Sequence, residues 1–482
     1  MDERIMLMYP PGPIYQRGED RSQGNIEDST ATSMRACNDL GYCAAVLARE
    51  NYSVFLMDYQ TENKTIFDLE VDLDRFMPKM VLISVTNATI FEDIKIANHI
   101  KELSGAYIVL KGAIFFDPDE ELLSLLDLKF VDYLIGGEAE TCIVGIADHA
   151  LRHMGDINSI HNILIKDRNC HFVATKFYCW VDALDSIPFP ARRYMNNRIY
   201  VRPDTQAPMA TIQTSRGCSA SCIYCLSPKI SGKKVRLRSP ENVMLEIEEC
   251  YHKFGIKNFF FKADTFTMNP GWTKKLCALI ISSSLYNKIE FTANSRTNPL
   301  SFDVLQAMKD AGCFSVAFGF ESGSDETLKR IKKGSDVAHN IQAAKWAHKL
   351  NLKMYGFFMA GFPWETREHL EQTRKHIFDI DADFIEVHLV LPYYGTELYN
   401  ICHKSGVIEN GPLGNDYFHT NVTGTEFLAQ KELVEFRNKI IHDYYIRPGY
   451  IIKRLKECLY KPRILPSYIR YGMKIIFGRD KG

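Results

Sequence analysis

Three cysteines stand close enough in the chain to act as one chemical group. Cys218, Cys222 and Cys225 lie in the stretch TSRGCSASCIYC, residues 214–225, with the spacing C-x3-C-x2-C. Thiolates are soft ligands, and three from one loop can hold three irons of a cubane cluster. No fourth cysteine follows at a useful distance. The fourth iron would then stay open to an outside ligand, as a catalytic zinc keeps one position open. A structural zinc site is the other chemistry that three thiols suggest. It asks for a fourth Cys or His close by, and this stretch has none. The other ten of the 13 cysteines are scattered without metal-ligand spacing, as small buried hydrophobes usually are.

The thiol loop follows an apolar strand signal, and a βα series continues from it. The expected strands are Ala210–Thr214, Asn258–Lys262, Ile289–Ala293, Phe314–Phe320, Lys353–Ala360 and Phe384–Val390. One helix between them is well marked. Ser239 is a good N-cap, Pro240 takes the first helical position, Val243, Ile247 and Cys250 share a face, and Gly255 stops the helix. Six units suggest an open (β/α) barrel, too few for a closed one of eight. In parallel barrels, polar residues at strand carboxyl ends face the active site. Asp264, Arg296 and Glu321 fall at such ends. They read as ligand-binding groups or as a structural ion network.

The cysteine spacing, the preceding Arg216 and Gly217, and the aromatic Tyr224 before the last cysteine resemble the radical S-adenosylmethionine (SAM) family over about 208–399. The resemblance implies that the open iron binds the amino and carboxylate groups of SAM. Electron transfer from the 4Fe-4S cluster then gives a 5′-deoxyadenosyl radical that takes hydrogen from a substrate. SAM would meet Tyr224, Asp264, Arg296, Glu321 and Gly361, with Arg296 on its carboxylate and Gly361 flanking the adenine. The family's glycine-rich methionine-binding motif is not visible, and Asp264 stands near its place.

Residues 1–154 alternate strand and helix signals: strands at Ile5–Tyr9, Ser53–Met57, Val81–Val85, Tyr107–Leu110 and Tyr133–Ile135, with helices over Met34–Glu50, Ile90–Leu103 and Thr141–His153. The expected fold is α/β throughout: a doubly wound, Rossmann-like parallel sheet, a linker over 155–208, the open six-stranded radical SAM barrel over 209–400, and a mostly helical region over 401–482. A doubly wound domain before such a barrel resembles the cobalamin-binding radical SAM subclass. The matching residues are Ser84, Thr86 and Asn87 after the third strand, Gly112 after the fourth, and the Gly136-Gly137-Glu138-Ala139-Glu140 segment after the fifth. The resemblance implies that Ser84, Thr86, Asn87, Gly112, Gly137 and Glu138 hold cobalamin. The Asp-x-His-x-x-Gly motif of many cobalamin proteins is absent, and no histidine lies between Gly12 and Asn38. Cobalt would then lack a histidine ligand.

The implied activity is methylation of an unactivated carbon, with methylcobalamin donating the methyl group and a second SAM restoring it. Cobalamin-dependent oxidation or ring closure, and radical SAM chemistry without cobalamin, are the enzymatic alternatives. A regulatory protein that binds cobalamin or metal is the non-enzymatic one. The electron donor would be a flavodoxin or ferredoxin. His388 and Tyr393 sit where they would touch an organic substrate or simply pack.

Bulk properties set the outer limits. The chain has 482 residues and a net charge of −1, which points to no nucleic-acid partner. It opens without the basic start and apolar stretch of a secretion signal, and its apolar runs are too short to span a bilayer. A cytoplasmic location is expected. Ile451–Gly482 holds nine Lys/Arg against two Asp/Glu, interleaved with Ile, Leu, Tyr and Phe. This tail reads either as a helical cap with its apolar side on the barrel or as an interfacial element touching anionic lipid, which would suit a lipid-linked or anionic substrate.

Overall fold

The computed structural model describes residues 3–17, 24–29, 34–176, 179–408, 411–416, 418 and 423–477. Continuous apolar runs predict strands buried on both faces, and the N-terminal sheet is built from them. Strands β1 (Arg4–Tyr9), β2 (Ser53–Asp58), β3 (Met80–Ser84), β4 (Tyr107–Lys111) and β5 (Tyr133–Ile135) pair in parallel. β6 (Ile163–Lys166) and β7 (Phe172–Ala174) extend the sheet antiparallel, giving the order β2-β1-β3-β4-β5-β6-β7. These last two strands come from the segment expected to be a linker. They are too short to show a period of two. Helices α1 (Asn38–Arg49), α2 (Ile66–Phe76), α3 (Ile90–Ser104), α4 (Glu120–Ser124) and α5 (Ile143–Ala147) cover both faces. Ile5, Leu7 and Leu82 point into the layer of α1 and α5, while Met6, Met8 and Val81 point into that of α2 and α3. This is the alternation that a pleated strand imposes. Two helix ends differ from expectation. α1 starts at Asn38 rather than Met34, and the helix expected over 141–153 is α-helical only to Ala147 before a single π turn at Asp148–Arg152.

The second sheet is the expected open barrel. β8 (Met209–Gln213) leads to a two-stranded antiparallel ladder, β9 (Ser215–Arg216) with β10 (Arg236–Leu237), which brackets the thiol loop and the short helix α6 (Ser227–Ile230). α7 (Pro240–Phe254), β11 (Asn258–Lys262), α8 (Pro270–Ser282), β12 (Glu290–Ser295), α9 (Phe302–Asp310) and β13 (Cys313–Glu321) follow. α10 (Asp325–Arg330), α11 (Val337–Lys349), β14 (Lys353–Ala360), α12 (Arg367–Ile380) and β15 (Phe384–Leu389) complete the unit. The strands lie in the order β15-β14-β13-β12-β11-β8, all parallel. Outward side chains such as Phe259, Phe291 and Val316 join Val243, Leu276 and Leu305 of the helices in one core. The caps of α7 are as read: the Asn242 N–H donates to Ser239 Oγ at 3.1 Å, and Gly255 ends the helix at φ +67°.

Four helices finish the chain: α13 (Glu397–Ser405), α14 (Gln430–Ile446), α15 (Pro448–Tyr460) and α16 (Leu465–Phe477). α14 closes the side of the barrel, and the Ile385 N–H donates to the Tyr445 hydroxyl at 2.8 Å. Arg454 of α15 pairs with Asp383 at 2.6 Å. Residues 478–482 of the basic tail lie outside the described residues. Among the described residues, no helix is long and apolar enough to cross a membrane.

Candidate active site at the barrel mouth

The thiol loop is held before any ligand enters it. Gly217 sits at φ +90°, and a Cβ there would lie 2.1 Å from the Lys234 carbonyl oxygen, so the turn admits only glycine. The next residue's N–H, that of Cys218, donates to the Gly232 carbonyl at 3.0 Å. Arg216 and Arg236, paired across the β9–β10 ladder, both reach into the first domain. Arg236 forks onto Glu138 at 2.7 and 3.1 Å, and Arg216 meets Glu140 and lies 3.3 Å from Glu138. All four side chains are buried. Such a cluster is worth little as net attraction, but losing one partner strands a buried charge. Trp180 adds a neutral tie, donating from Nε1 to the Ile230 carbonyl at 2.8 Å.

The loop opens onto a cavity of about 200 Å³ at the carboxyl ends of the barrel strands. All three thiols line it, with Tyr224, Asp264, Asn294, Arg296, Glu321, Lys333, His388 and Tyr393. Glu321 ends β13 past a register shift and in the left-handed region at φ +63°. Its carboxylate accepts from Lys333 Nζ at 2.5 Å and from the Tyr224 hydroxyl at 3.0 Å. Burial works against its charge, but Lys333 and Tyr224 hold its carboxyl below the usual carboxylate range. Burial and the Glu321 charge push the Tyr224 phenol well up. Gly319 makes room for this pair: a Cβ there would come within 2.5 Å of Glu321 Oε1 and 2.9 Å of Lys333 Nζ.

Arg296 Nη1 donates to Cys222 Sγ at 3.5 Å. Burial disfavours its charge, and the neighbouring Cys222 restores it, so the guanidinium stays protonated. The Ser227 N–H donates to Cys225 Sγ at 3.4 Å, and its hydroxyl donates to Asp264 at 2.9 Å. His388 pairs with Glu386 at 3.0 Å. The Tyr393 hydroxyl is buried at this cavity without a hydrogen-bond partner among the described residues. Three thiols facing one space, with a guanidinium on one of them, fit a cluster and its SAM. Among the described residues, no three His, Cys, Asp or Glu side chains are grouped as ligands of a single ion. A cubane does not ask for that, because each thiolate takes a different iron.

Thus Tyr224, Asp264, Arg296 and Glu321 share the cavity with the thiols, as the sequence reading places them. Gly361 does not line it. Its N–H donates to buried Glu365 at 2.8 Å, and a Cβ there would meet Leu433 of α14 at 2.8 Å. The glycine lets α14 pack closely against the end of β14. Sequence reasoning did not assign Lys333, which lies 12 residues beyond Glu321 across α10. Only a chain reversal brings the two together, and no local signal marks it.

The six residues read as cobalamin contacts do lie at the carboxyl ends of β3, β4 and β5, but protein already occupies them. Ser84 donates to Asp39 at 3.0 Å, and its carbonyl accepts from Arg17 at 3.0 Å. Asp39 is also bound by Tyr9 at 2.6 Å and Lys111 at 2.9 Å; burial opposes its charge, and these donors keep its carboxyl low. Thr86 offers its N–H to Asp93 at 3.3 Å. Asn87 donates to the Pro412 carbonyl at 2.7 Å and accepts from the Gly414 N–H at 3.0 Å. A Cβ at Gly112 would meet Val85 at 2.7 Å, and one at Gly137 would meet Asn162 at 2.9 Å. Glu138 belongs to the arginine cluster of the thiol loop. As folded, these residues do not form an open cradle for a corrin tail, and residues 411–416 lie across the edge that would take it.

Comparison with known proteins agrees with the barrel-mouth geometry. Residues 212–377 match the sequence profile of the radical SAM superfamily. With the thiol loop at the end of the first barrel strand, these residues read as a radical SAM domain. The chain's two-domain fold is similar to that of solved cobalamin-dependent radical SAM enzymes. The radical SAM enzyme OxsB, solved with aqua-cobalamin and SAM, superposes with a TM-score of 0.71 at 16% identity, covering 96% of this chain and 72% of that one. The methyltransferase TsrM of Kitasatospora setae, solved with cobalamin and a [4Fe-4S] cluster, superposes with a TM-score of 0.65 at 15% identity, covering 86% of this chain and 80% of that one. An uncharacterized methyltransferase of Pyrococcus horikoshii is 29% identical over 420 residues, covering 87% of this chain and 89% of its own length.

Proposed function

We propose that the protein is a cobalamin-using radical SAM methyltransferase that acts on an unactivated carbon in the cytoplasm, with electrons from a flavodoxin or ferredoxin. One observation carries the radical half: the three thiols, Arg296 and the Lys333–Glu321–Tyr224 group face one cavity. The methyltransferase relatives support the other half. A bound cluster with SAM supplies a hydrogen-abstracting radical. The chain's own residues prepare for it. Arg296 keeps a positive charge beside Cys222, where a reduced cluster needs one. Lys333 keeps Glu321 ionised to receive an ammonium or ribose hydroxyls. Tyr393 lines the same cavity, and its buried hydroxyl has no hydrogen-bond partner among the described residues. Phe357, Met359 and Leu391 form an apolar wall that keeps water from a reactive intermediate. A corrin at the first domain requires residues 411–416 to yield.

The test is iron, sulfide and cobalt per chain after anaerobic reconstitution with hydroxocobalamin, followed by product analysis after reduction with SAM. Iron, cobalt, 5′-deoxyadenosine and S-adenosylhomocysteine together support the reading. Deoxyadenosine without cobalt or S-adenosylhomocysteine refutes methyl transfer and leaves a radical enzyme. Bound cofactors without turnover refute the enzyme.

A further inference from the structure

Surface helices of globular proteins bury an apolar stripe and turn charge outward. α12 does so: it exposes Arg367, Glu368, Glu371, Lys375 and Asp379 and buries Leu370, Ile377 and Ile380. α15 and α16 differ. Each has an inner face packed on the barrel, through Tyr450, Arg454 and Cys458 in α15 and through Tyr468 and Ile475 in α16. Each also exposes an apolar stripe at four-residue spacing, Ile451, Leu455 and Leu459 on α15 and Leu465, Ile469 and Met473 on α16. Leu459 is 80% exposed, and Tyr460 beside it 88%. Every exposed charged side chain among the described residues after 446 is basic: Lys453, Lys456, Lys461, Arg463 and Arg470. Of these, Lys453 also reaches Asp383 at 3.3 Å.

We propose that α15 and α16 seat the protein on an anionic lipid bilayer. Apolar residues reaching the acyl boundary, lysines and arginines around them and a tyrosine at the level of the headgroups are the parts of an interfacial element. A second copy suits the face less well, since a twofold contact would set these cations against their own copies. The inner side of α16 gives a further reason for lipid. Tyr468 and Tyr471 close a mainly apolar chamber of about 110 Å³ at the foot of the barrel, lined by Phe260, Phe314, Tyr355 and Phe384, with Arg35, Asp204 and Lys353 also in its wall. That chamber and the thiol cavity share Asn294, Ala317 and Phe357 as a common wall, so an apolar space behind the bilayer-facing helix adjoins the site of the chemistry.

The full-length protein, reconstituted anaerobically, is sedimented with phosphatidylcholine vesicles and with phosphatidylcholine–phosphatidylglycerol vesicles. It pellets with the anionic vesicles only, and added salt releases it. The Leu455→Glu/Leu459→Glu variant, altered at exposed positions outside the core, loses at least tenfold in partitioning. The Lys456→Gln/Lys461→Gln variant loses roughly tenfold as well. Equal partitioning of wild type and variants, or no binding to either vesicle, overturns the proposal. So does a lipid-free dimer in sedimentation velocity that the Leu455→Glu/Leu459→Glu variant dissociates, because the face then belongs to a second copy. Circular dichroism and iron content of each variant separate loss of binding from loss of fold. Neither readout depends on methyl transfer, so this reading can fail without the other.

Discussion

Two sheet edges in this molecule look alike on paper and behave differently. At the carboxyl ends of the barrel strands, the polar groups face a cavity, and one hydroxyl there is left unsatisfied. At the carboxyl ends of the N-terminal strands, Ser84, Asn87, Lys111 and Asp39 are spent on one another and on residues 411–416. Position in an α/β fold marks both edges as ligand sites. What separates them is whether an open cavity stands in front of the polar groups, about 200 Å³ at the barrel mouth, which position alone does not tell.

The largest break in this contrast comes from the thiols. Cys222→Ala should abolish iron binding and deoxyadenosine formation, with iron falling from about four per chain towards zero. Ser84→Ala at the other edge should leave iron unchanged and cost on the order of 1 kcal/mol in denaturant unfolding.

Glu138→Gln joins the two edges in one experiment. It strands Arg236 and weakens the hold on Arg216, so unfolding free energy should fall by about 3–5 kcal/mol. Reconstituted iron should become labile in proportion. A variant with full stability and firmly held iron would show that the first domain does not set the thiol loop.

A pH series sharpens the barrel side. Burial raises the Glu365 carboxyl from 4.5 to about 7, although it accepts from the Gly361 and Phe362 N–H groups. The folded state therefore holds its proton more tightly than the unfolded one. This contribution to stability is fully present below pH 4.5 and is lost as pH rises towards 7. Glu365→Gln should flatten the stability profile between pH 5 and 8, by a few kcal/mol at its alkaline end. An unchanged profile would place the titration elsewhere.

The smallest effect is on the cluster's potential. Arg296→Gln removes a charged donor worth about 1.5 kcal/mol from Cys222. The cluster's midpoint should fall by about 60 mV, read by potentiometric titration. No shift would make Arg296 a structural group.

The sequence shows the barrel and its chemistry because both are written locally. Cysteine spacing lies within one loop, and strand and helix periods need only a short window. The order of six parallel strands follows from that rhythm. Relations across the chain are not written so. Lys333 reaches Glu321 only after a helix and a turn, Gly361 looks like a ligand-side glycine until Leu433 arrives from 72 residues away, and Glu138 reads as a cofactor contact until two arginines of the next domain fold onto it. β6 and β7 were hidden for a different reason: three or four residues carry no readable period.

The Glu138–Arg236–Arg216–Glu140 group also bears on how such chains can be recombined. After its first strand the barrel carries, on the β9–β10 ladder, two arginines whose counter-charges are encoded more than seventy residues upstream. A gene fragment beginning at the barrel would inherit two buried cations with no carboxylate to meet them. The heritable module is therefore the joint, not the domain. A chimaera that exchanges the N-terminal half should carry the Gly-Gly-Glu-Ala-Glu segment and the β9–β10 loop together, or neither.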